Sequence, residues 1–250
     1  MKNKLLYVLL SLSIIILLLI GINLIDINNI KKEKDNKNLE SAIKVLTVEL
    51  SNSNFSIVKG KSFNIKYDKK KIEAINHDNK VEIKELDNNS DKIEITIPEE
   101  FKFNQLYIKS NKGNIELDDV TSDFFSIASE SGNIHINKLN ITNKTDIAVN
   151  SSKMIIKESD IHNADVFIAD GKLTFDGILG GRSEINTSKG TLDFNLKDKI
   201  NNYRIEILDA NKNIKVNKKI IDNKSYTKGE KTIIINGKGT LNINGDDSHE

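Results

Sequence analysis

Ile127-Ala-Ser-Glu-Ser-Gly-Asn-Ile-His-Ile136 and Ile147-Ala-Val-Asn-Ser-Ser-Lys-Met-Ile-Ile156 are two copies of one pattern. Each copy begins with an apolar residue, the anchor, and has two more apolar residues seven and nine positions later. Further copies follow and precede this pair, with anchors separated by 19, 20, 19, 19, 22 and 27 residues. A nearly fixed period of this length is typical of proteins built from stacked repeats. The anchors are Ile108, Ile127, Ile147, Val166, Ile185, Ile207 and Ile234.

The two columns after the anchor predict a strand with one buried face, because mostly polar residues separate their apolar members. One such unit cannot bury its apolar row alone, whereas units stacked about 4.8 Å apart share a continuous core. The predicted core of the first five repeats is Ile108, Ile115, Leu117, Ile127, Ile134, Ile136, Ile147, Met154, Ile156, Val166, Leu173, Phe175, Ile185, Leu192 and Phe194.

The fifth position after the anchor carries glycine in five of the seven repeats. Glycine at a fixed place between two short strands predicts a turn that requires positive φ. Ser152 and Lys212 occupy this position in the other two repeats, so we expect those turns to differ in type or to be locally strained. The predicted turn glycines are Gly113, Gly132, Gly171, Gly190 and Gly239.

These columns predict an all-β, β-solenoid-like stack of roughly 20-residue coils over residues 99–244. A β-sandwich of hairpins is the alternative, but it would not require four consecutive spacings of 19 or 20 with the glycine in register. The period loosens after Phe194, and we expect insertions at 197–206 and 218–232. Before the stack, alternating runs over residues 39–98 predict a β-meander that caps the first coil. Residues 245–250 are predicted to be a polar tail.

The N-terminal segment predicts a membrane anchor. Lys2 and Lys4 precede 21 uncharged, mainly apolar residues, 5–25, which as a helix would span about 31 Å, close to the thickness of a bilayer core. No small-x-small cleavage site or cysteine follows, so we predict an uncleaved, single-pass signal anchor, with residues 1–4 cytoplasmic and 26–38 a polar stalk. The short basic N-terminus favours an extracellular body, although the lysines of the stalk favour the reverse orientation.

Composition excludes several classes of function. The 37 basic and 36 acidic residues balance to a net charge of +1, which gives no support to nucleic-acid binding. The absence of cysteine excludes disulfides, thiolate metal sites and cysteine nucleophiles. No phosphate-binding loop, nucleophile elbow or metalloprotease motif is present. We therefore predict no catalytic, cofactor-binding or metal-binding residues, and we interpret His77, His135, His162 and His249 as surface histidines.

Acidic residues give the one argument for an enzyme, because some β-helix enzymes cleave polysaccharides with clustered carboxylates. Asp118 and Asp176 share the tenth position after their anchors, but they should lie three coils, or roughly 14 Å, apart. Paired carboxylates in glycoside hydrolysis are about 5–10 Å apart, so solvated turn residues are the better interpretation. The same column is expected to form a partial asparagine ladder, comprising Asn137, Asn195, Asn217 and Asn244.

The chain resembles the putative adhesin family of β-strand-repeat proteins, domain of unknown function 4097. The resemblance covers roughly residues 43–244, and Ser152, Lys212 and the loose sixth repeat depart from it. It implies a right-handed, solenoid-like all-β fold, often attached to a bacterial membrane segment, without established catalytic residues. The residues that carry it are Ser131-Gly-Asn-Ile-His-Ile136, its relatives at 113–117 and 189–194, the lead-in Ile93-Glu-Ile-Thr-Ile-Pro98, and the strands Phe63–Tyr67 and Val81–Glu85.

Three hypotheses for function follow from these patterns. The first is a binding, adhesin-like or envelope-stress-associated module on the bacterial cell surface, whose ligand is a cell-wall polymer or another surface or membrane protein. The second is a β-helix enzyme that cleaves polysaccharides, which requires three or more carboxylates on one face of adjacent coils. The third is a scaffold that acts on a membrane partner through residues 5–25. We favour the first.

Overall fold

The computed structural model describes residues 43–86, 91–208, 213–220, 225–226 and 228–246. These residues are almost entirely β-strand, with one 3-10 turn at Ile200–Asn202. The strands are β1 (Val45–Leu50), β2 (Asn54–Gly60), β3 (Asn64–Lys66), β4 (Ile72–His77), β5 (Lys80–Glu85), β6 (Lys92–Pro98), β7 (Lys102–Ser110), β8 (Asn114–Ser129), β9 (Asn133–Val149), β10 (Lys153–His162), β11 (Ala164–Ile168), β12 (Lys172–Gly180), β13 (Arg182–Thr187), β14 (Thr191–Lys199), β15 (Tyr203–Ile207), β16 (Ile214–Val216), β17 (Lys219–Ile220), β18 (Ser225–Tyr226), β19 (Lys231–Gly237) and β20 (Thr240–Asp246).

The predicted membrane anchor at 5–25 and its flanks lie outside the described residues. Within the part of the chain that the structure describes, no helix has the length and hydropathy needed to cross a bilayer. At the other end, β20 includes Gly245 and Asp246, so the first two residues of the predicted polar tail belong to a strand. The rest of that tail also lies outside the described residues.

Parallel pairing joins the described strands into a stack of nine layers. Each layer contributes two strand segments, and each segment pairs in parallel with the equivalent segment of the next layer. In order along the stack, layers 1 to 9 are β5 with β6, β1 with β2, β7 with the start of β8, the end of β8 with the start of β9, the end of β9 with the start of β10, β11 with β12, β13 with β14, β19 with β20, and β15 with β16.

The register of layers 3 to 7 is the one that the repeat predicts. Ile127 pairs with Ile108 on one side and with Ile147 on the other, and Val166 pairs with Ile147 and Ile185. Side chains at these positions therefore stack directly on one another. The fifteen residues predicted to form the core are all buried, and none is more than 3% exposed. The prediction of an all-β, solenoid-like stack is confirmed.

Each central coil has three straight segments. The glycine turn separates the first segment from the second, and a residue in the left-handed conformation bends the chain between the second and the third. That residue is Asp119, Lys138 or Glu158 in successive coils, with φ of 52°, 54° and 49°. The anchor face is the outer surface of the segments that carry the anchors. The ladder face is the outer surface of the segments that directly follow the glycine turn.

The turn glycines are required mainly by close packing between coils. Gly113 and Gly132 have φ of 130° and 115°, as predicted, but Gly171, Gly190 and Gly239 do not have positive φ. A methyl group on Gly171 would nevertheless lie 2.4 Å from the carbonyl oxygen of Ser152 in the coil below. The prediction of positive φ was therefore wrong for three of the five glycines. The physical reason at Gly171 and Gly239 is the short distance to the neighbouring backbone, and at Gly190 the nearest atom is Ile168 Cγ2, at 2.5 Å.

Ser152 occupies the glycine position without adopting positive φ. Its hydroxyl is 2.8 Å from that of Ser129, and the residue is buried. This turn therefore differs in type from the turns at Gly113 and Gly132, as the sequence predicts. Lys212, the other exception, lies outside the described residues.

The described residues from 43 to 98 supply layers 1 and 2 of the stack, and the predicted meander is wrong for most of them. A meander would pair each strand antiparallel with its neighbour along the chain, whereas β1 pairs with β5, and β2 with β6, in parallel. Only β3 and β4 pair antiparallel, with β6 and β5, and they cover the open edge of layer 1. Pro98 is the last residue of β6, where a missing N–H costs little.

The Glu85 carboxylate completes the turn of layer 2. In the central coils, turn N–H groups donate to carbonyl oxygens of the preceding coil, as Glu130 does to Ser110. In layer 2, one carboxylate oxygen of Glu85 instead accepts from the N–H groups of Ser51, Asn52 and Ser53 at 2.6, 2.9 and 3.2 Å. An acidic side chain from layer 1 thereby satisfies donors that would otherwise be unpaired.

The two C-terminal layers are stacked in the reverse of their chain order. β19 pairs with β13 on one side and β15 on the other, so the seventh repeat lies between the fifth and the sixth. Ile235, not Ile234, pairs with Ile185 and Ile207. The predicted anchor at Ile234 was therefore displaced by one residue, because three consecutive isoleucines leave the alternation ambiguous.

A buried tyrosine lies where these layers meet. Tyr203 is fully buried, its hydroxyl donates to Asp198 at 3.4 Å, and Lys231 pairs with the same carboxylate. Burial, followed by the charge of Asp198, raises the pKa of Tyr203 well above its ordinary value of 10. These contacts link β14, β15 and β19 across the inserted layer.

Candidate functional site

The outward side chains of the ladder face form three columns, because parallel pairing places equivalent residues above one another, and a register shift interrupts the third column between Lys157 and Asp176. Among the eighteen column positions from layer 3 to layer 8, only Ile155 is apolar, so this face is polar. The columns are Asn114, Asn133, Lys153, Lys172, Thr191 and Thr240; Glu116, His135, Ile155, Thr174, Asp193 and Asn242; and Asp118, Asn137, Lys157, Asp176, Asn195 and Asn244.

Amide side chains link layers 3 and 4 on this face. Asn133 Nδ2 donates to Asn114 Oδ1 at 3.1 Å, and Asn137 Nδ2 donates to Asp118 Oδ1 at 2.8 Å. These bonds form because the period of 19 residues brings an amide and a polar acceptor to the same place in successive coils. The expected ladder is therefore present here, with an aspartate as its first acceptor.

An open depression of about 470 Å³ lies on the ladder face between layers 6 and 9. Its floor is fixed by two more links between layers: Asn242 Nδ2 donates to Asp193 Oδ1 at 2.7 Å, and Asn244 Nδ2 donates to Asn195 Oδ1 at 3.2 Å. The depression offers amides, a hydroxyl and ammonium groups to a ligand. Its lining residues are Lys172, Thr174, Asp193, Asn195, Lys215, Lys218, Asn242 and Asn244.

The lysines around this depression fall into two groups. Lys172 pairs with Asp193 at 3.1 Å, and Lys197, at the border of the face, pairs with Asp176 at 2.8 Å. The hydrogen bond to Asp176 raises the pKa of Lys197. Within the described ranges, the remaining four lysines of the ladder face between layers 5 and 9 have no ion-pair partner. These exposed residues are Lys153, Lys157, Lys215 and Lys218.

The two carboxylates singled out from the sequence do not form a pair. Asp118 lies in layer 3 and accepts the hydrogen bond from Asn137, whereas Asp176 lies in layer 6 and is paired with Lys197. Each carboxylate therefore has its own partner, and the layers separate them by roughly 14 Å.

Sequence reasoning missed a column of carboxylates on the anchor face. Asp146, Asp165 and Glu184 are in-register neighbours in layers 5, 6 and 7, and Lys144 lies 3.2 Å from Asp146 and 3.0 Å from Asp165. Burial, with a smaller contribution from Asp165, raises the pKa of Asp146 although Lys144 opposes the shift. The signal was present in the sequence, because all three acids stand directly before an anchor.

The three histidines within the described residues do not converge. His135 is exposed on the ladder face, and His162 Nε2 lies 3.4 Å from Asp160 Oδ1 at the surface. His77 is half-buried in β4, and His249 lies outside the described residues. In the part of the chain with described coordinates, no three acidic or histidine side chains are close enough together to hold a metal ion.

Comparison with known proteins identifies the family. No curated protein matches the chain at a significant level. A crystal structure described as a putative cell adhesion protein from Clostridium sporogenes ATCC 15579 is similar at 13% identity, covering 83% of this chain and 95% of that one, with a TM-score of 0.31. The model of the family "Toastrack DUF4097" matches residues 22–247, a range that includes every residue of the described stack. With its period, register and polar faces established, the chain therefore belongs to the Toastrack DUF4097 family.

Proposed function

We propose that the protein is a membrane-anchored, non-catalytic binding module of the cell surface. The observation that supports this proposal is the ladder face, where short polar side chains are linked from layer to layer around an open depression. These links hold the side chains in place before a ligand binds, which reduces the entropy cost of binding. An open polar surface suits an extended ligand, whereas small substrates are usually enclosed in concave pockets.

Binding to the cell envelope tests this function directly. The full-length chain in mild detergent is mixed with the envelope fraction of its host cells, and the bound protein is measured by co-sedimentation. We expect wild type to bind, and Asn195→Trp combined with Asn244→Trp to lose binding because two indole rings fill the depression. The matched control replaces Asn111 and Asn150, which are exposed in turns, by tryptophan. Absence of wild-type binding, or an equal loss in both double variants, would contradict the proposal.

The membrane anchor is part of the proposal and rests on residues 5–25. The chain contains no cysteine, so a single introduced cysteine is a unique label. We expect an impermeant maleimide to label Lys112→Cys, which is exposed in a turn of the stack, on intact cells. Asn3→Cys should be labelled only after lysis, and the opposite result would place the stack in the cytoplasm.

Exchanging the membrane anchor distinguishes a scaffold that acts inside the bilayer from a module that binds at the surface. Replacing residues 5–25 with an unrelated membrane segment leaves the described stack unchanged. If the stack carries the function, envelope binding persists at the wild-type level. Loss of binding in a correctly inserted chimera would instead favour a partner within the membrane.

Glycan cleavage is the competing proposal, and the acidic column of the anchor face is the observation that favours it. A carboxyl with a raised pKa beside an ionised one is the arrangement that general acid catalysis uses. However, Lys144 already pairs with both Asp146 and Asp165, so its single positive charge offsets one of the two carboxylate charges and both carboxylates already have an ion-pair partner. The two proposals are distinguished by incubating the protein with envelope polysaccharide. Release of new reducing ends by wild type, and its abolition in Asp146→Asn, would support cleavage.

A further inference from the structure

The ladder face is electrically asymmetric along the stack. In layers 1 to 4 its charged residues are mainly acidic: Glu116 and Asp118 accompany Glu94, which is paired with Lys92 at 3.3 Å. In layers 5 to 9 the charge is reversed. The four lysines without an ion-pair partner lie there, and the acids that belong to the three ladder-face columns of these layers, Asp176 and Asp193, are already paired with Lys197 and Lys172.

Two of the four unpaired lysines line the depression at its layer 9 end, and the other two lie one layer beyond its opposite end. Lys153 and Lys157 belong to layer 5, whereas Lys215 lies in layer 9 and Lys218 is the second residue after the end of β16. Four layer steps separate the two pairs, which corresponds to about 19 Å along the stack. Between them lie the threonine and asparagine side chains of layers 6 to 8. The two pairs of lysines are therefore too far apart to bind one small anion together. Their spacing suits a polymer that carries several anionic groups.

The composition of this region also restricts the kind of polymer that could bind there. None of the outward residues of the ladder face described in layers 5 to 9 is aromatic. Sugar faces and nucleobases commonly bind by stacking on aromatic rings, and single-stranded nucleic acids depend on such platforms. Amide and hydroxyl groups, in contrast, exchange hydrogen bonds with polyol hydroxyls. Recognition here must depend on charge and hydrogen bonding.

We infer that the ladder face from layer 5 to layer 9 binds a linear polyanion whose phosphate or carboxylate groups alternate with hydroxyl-bearing units. The bound polymer lies along the stack axis, with anionic groups at Lys153 and Lys157 and at Lys215 and Lys218. Its hydroxyl groups contact the asparagine and threonine side chains of the depression. This inference rests on the proposed function and names the class of ligand for the same face.

The test measures binding of defined polymers to the full-length chain in a non-ionic detergent. The probes are poly(glycerol phosphate), polygalacturonate, neutral dextran and single-stranded oligothymidine, each titrated at 50 and 200 mM salt. The quadruple variant Lys153→Gln, Lys157→Gln, Lys215→Gln and Lys218→Gln removes the unpaired cations. Its matched control, with the same change in net charge, replaces the exposed lysines at the other end of the molecule: Lys61, Lys66, Lys69 and Lys70.

We expect wild type to bind one or both polyanions and to lose affinity by about tenfold or more between the two salt concentrations, since binding releases counterions. The quadruple variant should lose at least about tenfold in affinity, and the control variant less than twofold. The two polyanions distinguish a phosphate-bearing from a carboxylate-bearing ligand. Equal binding of dextran, stronger binding of oligothymidine, or equal losses in the two variants would overturn the inference.

Failure of the inference can be distinguished from failure of the proposed function. If wild type binds the envelope fraction and the quadruple variant binds it equally well, the ladder-face lysines are not involved and only the inference fails. If wild type does not bind the envelope fraction, the proposed function itself fails.

Discussion

Gly132→Ala should strongly destabilise the protein because it combines two costs at one position. The new methyl group would lie 2.2 Å from the carbonyl oxygen of Gly113 in the neighbouring coil. This obstacle is backbone, held in the stack by the pairing of Asn114 with Asn133 on the ladder face, so it cannot rotate away as a side chain could. In addition, φ at Gly132 is 115°, a conformation that residues with a Cβ atom rarely adopt.

The magnitude follows from these two costs. Holding a residue other than glycine in a sparsely populated backbone region costs about 1–3 kcal/mol, and forcing an extra methyl into a packed interior costs about 1–3 kcal/mol. We therefore expect the free energy of unfolding to fall by about 3–5 kcal/mol. Gly171→Ala isolates the second cost, since its methyl would lie 2.4 Å from the Ser152 carbonyl oxygen at ordinary φ. It should lose about 1–3 kcal/mol.

Urea unfolding followed by far-ultraviolet circular dichroism measures these differences, because the chain contains no tryptophan for fluorescence. Lys112→Ala is the control, since this exposed side chain lies in the same turn as Gly113 and its loss should change stability by less than about 0.5 kcal/mol. If Gly132→Ala were as stable as the control, coil-to-coil packing would not be the reason for the glycine column. If Gly171→Ala were the more damaging variant, positive φ would contribute nothing at Gly132.

Three further predictions concern single side chains. Glu85→Ala removes the acceptor of three backbone N–H groups and should lower the free energy of unfolding by about 2–3 kcal/mol, whereas Glu85→Gln, which keeps a carbonyl oxygen, should lose less; equal losses would contradict the role of the acceptor. Burial raises the folded-state pKa of Tyr203 above 10. The neutral Tyr203 hydroxyl therefore contributes its full stabilisation of the folded state below pH 10, and this stabilisation falls above pH 10 by about 1.4 kcal/mol per pH unit. Tyr203→Phe should therefore be about 1 kcal/mol less stable than wild type at pH 7 and equal to it near pH 11; an unchanged difference would refute the shift. Since the folded-state pKa of Asp146 is raised above 3.8, its ionisation disfavours folding as pH rises through that pKa, so Asp146→Asn should gain stability relative to wild type between pH 3 and pH 7 in thermal melts.

The sequence predicts the middle of the stack well because neighbouring layers there are also neighbours along the chain. A spacing of 19 or 20 residues is then both a sequence period and a pairing register, and Ile127 faces Ile147 for the same reason that the two resemble each other. At the two ends of the stack, the sequence period no longer matches the pairing register. Val45 pairs with Gln105 across 60 residues, and Arg182 pairs with Thr232 across 50. No period connects such partners, so the parallel layers at 43–98 resembled a meander.

The polar face could be predicted only in part, for a similar reason. Alternation shows which side chains point outward, and the shared column of Asp118 and Asn137 predicted their ladder. The depression, however, depends on Asn242 lying beside Asp193 across 49 residues, which follows from the reversed order of the last two layers. The acidic column at Asp146 and Asp165 was visible in the sequence but stood one residue before the anchors, outside the columns that defined the fold.

The reversed layers and the ladder face are connected by this topology. If the sixth repeat had followed the fifth in chain order, Lys215 would lie one layer from Asp193, and the lysines of the face would be closer together. Insertion of β19 and β20 instead places Asn242 and Asn244 between layer 7 and layer 9, which lengthens the region between the two pairs of free lysines by one polar layer. The antiparallel strands β17 and β18 then cover the edge of layer 9, as β3 and β4 do at layer 1, and covered edges resist pairing with further chains. Because both ends are covered in this way, the broad faces of the stack are the surfaces available to an extended ligand.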